Sequence, residues 1–192
     1  MTDNYLDRRA FTGAVLAGRG DALVLPGLGA PTWDCAAAGL TGEALHSWGG
    51  MGLSLATALG VAIAQPSRRV LCLTGDGEMM MGLGMLAVVG AEAPANLGIL
   101  VVDNEHFGET GEQPGLAPTT DLCQIAQGAG IRHSIQVTAM EQVPDLIELL
   151  FHRPGPCFAL AKIALGDYPL VMPEKHGPSI ASAFRTEAMR TL

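Results

Sequence analysis

Two runs of uninterrupted apolar residues, 70–74 (VLCLT) and 97–102 (LGILVV), lead directly into GDG and DN. A strand that is apolar at every position has no face to give to water, so both of its faces must be covered. Between them, residues 78–91 are rich in Met, Gly, Leu and Ala and are long enough for a crossover helix. Strand, helix and strand in that order make a parallel pair. Strand-like runs recur at 22–25, 134–137 and 157–163, with helical stretches at 6–17, 52–64, 121–128 and 140–152. The expected fold is α/β, a doubly wound parallel sheet with helices on both faces.

A chain of 192 residues has room for one such domain. The expected division is a domain over 1–165 and a proline-containing tail over 166–192, with a short helix from Ser179 capped by that serine. This tail is expected to wrap its own domain or a neighbour. Hydrophobic residues make up 48% of the chain and charged ones 16%, with a mean hydropathy of +0.30. Such an apolar balance suggests surface kept for other chains, so an oligomer is expected. The net charge of -8 and the lack of a basic run argue against nucleic acid as a partner. No apolar window reaches membrane-spanning length, and the opening MTDNYLDRRAFTGAVLAG lacks the order of an export signal, so a cytoplasmic protein away from membranes is expected. Cys35, Cys72, Cys123 and Cys157 are far apart and read as reduced core residues.

Ligands of an open α/β sheet gather at the carboxyl ends of its strands. There Asp76 stands between Gly75 and Gly77, and the helix expected from Glu78 aims free N–H groups at the same spot. Alone, GDG fits an ordinary turn equally well. Asn104 changes this, because it ends the adjacent strand and brings a second oxygen donor to the same edge. A carboxylate, an amide carbonyl and a row of N–H groups suit a diphosphate with its magnesium ion. A nucleotide-binding module without catalysis is the rival reading. Against it, GLGAPT, which contains Gly27 and Gly29, does not complete GxGxxG, and no GxxxxGK[ST] occurs.

From GDG to DN, and upstream through HSWGGMGLSLATALGVAIAQPSRRVLCLTGDG, the chain resembles the thiamine diphosphate enzymes of the decarboxylase and acetolactate synthase superfamily. That resemblance implies Asp76, Asn104 and the main-chain carbonyl of His106 as magnesium ligands. It places Gly27, Gly29, Gly75, Gly77, Glu78, Phe107 and Gly108 around the cofactor, chiefly through main-chain amides at its diphosphate. Met51 matches the apolar residue that props the cofactor, and the carbonyl of Gly49, beside Gly50, matches the acceptor for its aminopyrimidine. As helix-opening residues, Met51 and the run Met79–Met81 also read as core packing. Glu109 and Thr110 occupy the loop where some decarboxylases carry a catalytic glutamate, and His46 is a candidate proton donor just before WGGMG.

In this superfamily a glutamate from a separate pyrimidine-binding domain activates the cofactor, and this chain has no length for that domain. The resemblance therefore implies a hetero-oligomer in which a pyrimidine-binding (α) subunit supplies the glutamate. The motifs GLGAPTWDCAAAG and DNEHFGETGEQPG and the ending PSIASAF are similar to the β subunit of sulfopyruvate decarboxylase and the matching half of phosphonopyruvate decarboxylase. Trp33 departs from the basic residue usual there. The implied activity is release of CO2 and an aldehyde from a small 2-oxo acid, with carboligation of the acetolactate synthase type as the alternative outcome.

Overall fold

The computed structural model describes residues 5–190, so the first four residues of the opening segment and the last two of the tail lie outside it. Among the described residues the strands are β1 (Leu23–Pro26), β2 (Val70–Gly75), β3 (Leu97–Asp103), β4 (His106–Phe107), β5 (Gln113–Pro114), β6 (His133–Val137) and β7 (Cys157–Lys162). The α-helices are α1 (Arg8–Ala17), α2 (Ala30–Ala37), α3 (Ser54–Ala64), α4 (Asp76–Met81), α5 (Met85–Glu92), α6 (Leu122–Gly128), α7 (Val143–Ile147) and α8 (Gly177–Ala188). Five strands form one sheet in the order β1-β2-β3-β7-β6, and every pairing in it is parallel.

Each central strand splits its side chains between two cores, as the period of two requires. Leu71, Leu73, Leu100 and Val102 face Phe11, Val15, Cys35 and Leu146 from α1, α2 and α7. Their neighbours Val70, Cys72, Ile99 and Val101 face Leu55, Met79, Leu86, Ala126 and Phe184 from α3, α4, α5, α6 and α8. Two covered faces account for the continuous apolar runs. The register pairs Gly75 with Val102 and Asp103 with Lys162, so Asp76 and Asp103 leave the sheet side by side at its carboxyl edge.

Two local expectations are corrected, and two stretches without an assigned element take shape. Residues 78–91 do not make one helix. α4 stops before Gly82, where a side chain would run into the Gly52 carbonyl, and α5 begins at Met85. Residues 26–50, where no strand or helix is expected from the sequence, contain α2, which starts after Gly29 at φ 76° with a proline in its first turn. The loop 106–118 folds back as the antiparallel β4–β5 hairpin. The tail helix starts at Gly177 rather than Ser179, with Pro178 in its first turn and His176 at the N-cap, and the Ser179 Oγ meets His176 Nδ1 at 2.9 Å. The tail wraps its own domain, since Phe184 and Ala188 are part of the second core.

Candidate active site at the carboxyl edge of the sheet

A cleft of about 420 Å³ opens over the ends of β2 and β3. Its floor is Gly75, Asp76 and Gly77 with Val102, Asn104 and His106, and one wall is the β4–β5 hairpin with Phe107, Gly108, Glu109 and Thr110. Met51, from the turn before α3, completes the inner wall. The segment after β7 closes the far side with Leu165, Tyr168 and Leu170.

Asp76 is a buried carboxylate short of partners. It is 2% exposed, and its Oδ2 is buried without a hydrogen-bond partner. Burial, then the Asp103 carboxylate, push its pKa up to about 7, against the opposing pull of main-chain N–H groups of Asp76, Gly77 and Asn104. Asp103 differs, because Lys162 Nζ lies 2.7 Å from it. The same ammonium is 2.7 Å from Glu105, whose carboxyl it holds below the usual range. Of the two neighbouring buried carboxylates, only Asp103 has a cation.

The loop after β3 is shaped by its own side chains. Asp103 Oδ1 accepts from the Glu105 N–H at 3.0 Å, and Asn104 Oδ1 accepts from the His106 N–H at 3.0 Å. Two successive side-chain-to-backbone turns hold Glu105 at φ 63° and swing His106 and Phe107 over the cleft. Phe107 then packs so close to Gly77 that a Cβ there would sit 2.6 Å from the ring, with the Met51 methyl at 3.4 Å. Only glycine fits at position 77.

Glu78 carries more than its amide. Its side chain is 5% exposed and accepts from the Leu28 N–H at 3.0 Å and the Ser54 N–H at 3.3 Å. It thereby caps α3 and ties the loop after β1 to the Met51 turn. Gly27 makes room for it, since a side chain at 27 would overlap the carboxylate. Gly27 and Gly29 sit beneath the lining residues Leu28 and Ala30, and a side chain at Gly29 would collide with Glu109. Gly49 and Gly50 precede Met51 but are not among the lining residues, and Gly50 turns the chain at φ 77°.

His46 is not brought to the cleft. It is 6% exposed, with Nε2 3.2 Å from the Leu40 carbonyl and Nδ1 buried without a partner, and burial holds its pKa below the ordinary value. Glu109 and Thr110 do reach the cleft, and Glu109 accepts from Trp33 Nε1 at 3.1 Å. Sequence reasoning missed the Glu78 side chain, Arg8 and the tail residues Leu165, Tyr168 and Leu170 as parts of the site. Nothing local marks them, because each reaches the cleft through a contact distant in sequence.

The family described as thiamine pyrophosphate enzyme, C-terminal TPP binding domain, matches residues 39–159, which include GDG and DN. The chain belongs to this family. The β subunit of sulfopyruvate decarboxylase from Methanococcus maripaludis is 32% identical over 142 residues, 74% of this chain and 76% of that protein. Phosphonopyruvate decarboxylase from Streptomyces viridochromogenes is 36% identical over 138 residues, 71% of this chain but 34% of that longer protein. A solved chain described as a thiamin diphosphate-dependent enzyme from Mycobacterium smegmatis superposes with a TM-score of 0.69 at 16% identity, covering 83% of this chain and 32% of that one. The fold and the thiamine diphosphate-dependent decarboxylase family expected from the motifs are thus both present.

The thiamine diphosphate site of this family fits the residues found here. The unpartnered, buried Asp76 Oδ2, with the Asn104 side-chain oxygen at the same sheet edge, is the feature that suits a metal-bound diphosphate, whereas Gly77 is filled by Phe107. Among the described residues no three His, Cys, Asp or Glu side chains converge as a metal site, so a cation here needs amide, main-chain or phosphate oxygens as well. No helix among the described residues is long and apolar enough to cross a membrane.

Proposed function

We propose that this chain is the thiamine diphosphate- and magnesium-binding subunit of a split 2-oxo acid decarboxylase, completed by a pyrimidine-binding α subunit. The observation that carries the reading is Asp76, a buried carboxylate with one oxygen unpartnered beside a second carboxylate already matched by Lys162. A divalent cation supplies the missing charge, and Asn104 with the main-chain carbonyl of His106 offers further oxygens. Main-chain N–H groups of Gly77, Glu78 and Gly108 are the donors for the diphosphate. Bound thiamine diphosphate supplies the electron sink that lets the carboxylate leave as CO2 before an aldehyde is released.

This chain's own residues anchor, shape and exclude water. Met51, Phe107 and Val102 form the apolar inner wall against the cofactor, and Glu109, oriented by Trp33, stands with Thr110 at the mouth where a proton is exchanged. The activating glutamate comes from the partner. Two features support a second chain. The sulfopyruvate decarboxylase relative bears the name of a β subunit. Leu53 and Met81, beside the Met51 turn, are 60% and 64% exposed, an apolar surface suited to a partner.

Titration of thiamine diphosphate with and without magnesium tests the reading on wild type and Asp76→Asn. Magnesium-dependent binding should weaken at least tenfold in the variant. The cofactor-free variant should melt no lower than wild type, because the substitution removes a buried, unmatched charge. Equal cofactor binding by both proteins sinks the reading.

A further inference from the structure

Lys162 is the charged group at this sheet edge that the cofactor reading uses only as a counter-charge. It ends β7, and its main chain is fixed from both sides, since it is the register partner of Asp103 and its carbonyl accepts from the Leu6 N–H at 3.1 Å. Neither Lys162 nor Asp103 lines the cleft. Both face a separate groove with Thr120, Asp121 and Gln136, so Lys162 can act on a bound cofactor only through the residues it holds.

What it holds is the turn around Asn104. Its Nζ lies 2.7 Å from Asp103 Oδ2 and 2.7 Å from Glu105 Oε1, the residues before and after Asn104. Asp103 Oδ1 accepts from the Glu105 N–H at 3.0 Å, so one carboxylate links the ammonium to the backbone of the turn. Glu105 has a φ of 63°, a left-handed conformation that a residue with a side chain keeps only where its surroundings hold it. Three groups distant in sequence from Glu105 or across the hairpin do so: Lys162, the Tyr5 hydroxyl at 3.2 Å from Glu105 Oε1, and the Gly115 N–H, which donates to the Glu105 carbonyl at 2.7 Å. Of these, only Lys162 grips both sides of Asn104. Without the ammonium, Asp103 and Glu105 are like charges two residues apart, and their repulsion opens the turn.

We propose that Lys162 is a positioning residue for the metal end of the thiamine diphosphate site: through Asp103 and Glu105 it fixes the turn that presents the Asn104 side chain and the His106 carbonyl, without touching the cofactor itself. This rests on the cofactor reading above.

The test titrates thiamine diphosphate at varied magnesium on this chain, alone and with its α subunit, in wild type, Lys162→Met, Lys162→Arg, Glu105→Gln and Phe184→Ala, the last destabilised in the core on α8. Lys162→Met should raise the magnesium concentration for half-maximal cofactor binding at least tenfold. Lys162→Arg, which keeps the charge and a donor for each carboxylate, should stay within threefold of wild type. Glu105→Gln leaves the Asp103 pair intact and should fall between wild type and Lys162→Met, and Phe184→Ala should match wild type within twofold whatever its melting temperature. An unchanged or lower magnesium requirement in Lys162→Met or Glu105→Gln overturns the proposal while leaving the cofactor reading intact. So does a Lys162→Arg no better than Lys162→Met, or an equal loss in Phe184→Ala, which would tie the loss to stability alone. Where Lys162→Met does not fold, Glu105→Gln and Lys162→Arg decide. Wild type that binds no thiamine diphosphate in either form overturns both.

Discussion

Glu78 shows how one buried carboxylate can hold a site together without entering its chemistry. It receives N–H groups from two loops, one before α2 and one at the start of α3, and without it the buried Ser54 donor and the half-buried Leu28 donor would lose their acceptor. Glu78→Gln keeps the shape but turns an acceptor into a donor. The expected cost is about 1–3 kcal/mol in urea denaturation of the cofactor-free protein; an unchanged midpoint would show that the loops are held elsewhere. His46 makes a different residue-level statement. Burial lowers its pKa below the usual 6.5, with the Leu40 carbonyl opposing, so the unfolded chain takes up a proton more readily than the folded one. Stability from this group is present above about pH 6.5 and is lost as pH falls below it, by at most about 1.4 kcal/mol per pH unit. His46→Gln should flatten the stability profile between about pH 7 and 5, which thermal melts across that range would detect.

At the scale of elements, the tail is part of the domain. α8 places Ile180, Phe184 and Ala188 against the body of the protein, each no more than 9% exposed. Its far end is held by Arg68, whose Nη1 donates to the Glu187 carbonyl at 2.9 Å. The segment before it is held by Trp48 Nε1 at the Glu174 carbonyl, 2.9 Å, and by Tyr168 Oη at Asp7, 2.7 Å. These anchors bring Leu165, Tyr168 and Leu170 to the cleft. Phe184→Ala should destabilise the protein by about 3 kcal/mol through lost burial and a residual cavity, measured by chemical denaturation. A cost below about 1 kcal/mol would mean that α8 rests on the core without closing it.

For the molecule as a whole, the sheet edge is equipped for a cofactor, while large apolar side chains remain uncovered. Leu53, Ile63, Met81 and Leu116 are each at least 56% exposed. On the proposed split arrangement, covering such surface should raise stability and activity together. The expectation is essentially no decarboxylation by this chain alone, turnover on adding the α subunit, and a higher melting temperature for the complex. Turnover by the chain alone, with sedimentation showing no second component, would place the activating group within this sequence.

The amino-acid sequence by itself determined the sheet and the edge at which Asp76 and Asn104 leave it. Apolar runs such as 70–74 and 97–102 carry their requirement for cover locally, and residues at the ends of adjacent strands, Asp76 and Asn104, are neighbours by topology alone. The split of 78–91 into α4 and α5 was not legible, because Gly82 is set by contact with Gly52, and α2 was hidden among glycines and a proline that read as loop. The tertiary structure alone decided what the side chains do. Leu28 meets Glu78 across 50 positions, Trp33 meets Glu109 across 76, and Trp48 meets Glu174 across 126. Periodicity reports only which face of an element is buried, whereas these pairings depend on how distant loops are brought to the same end of the sheet.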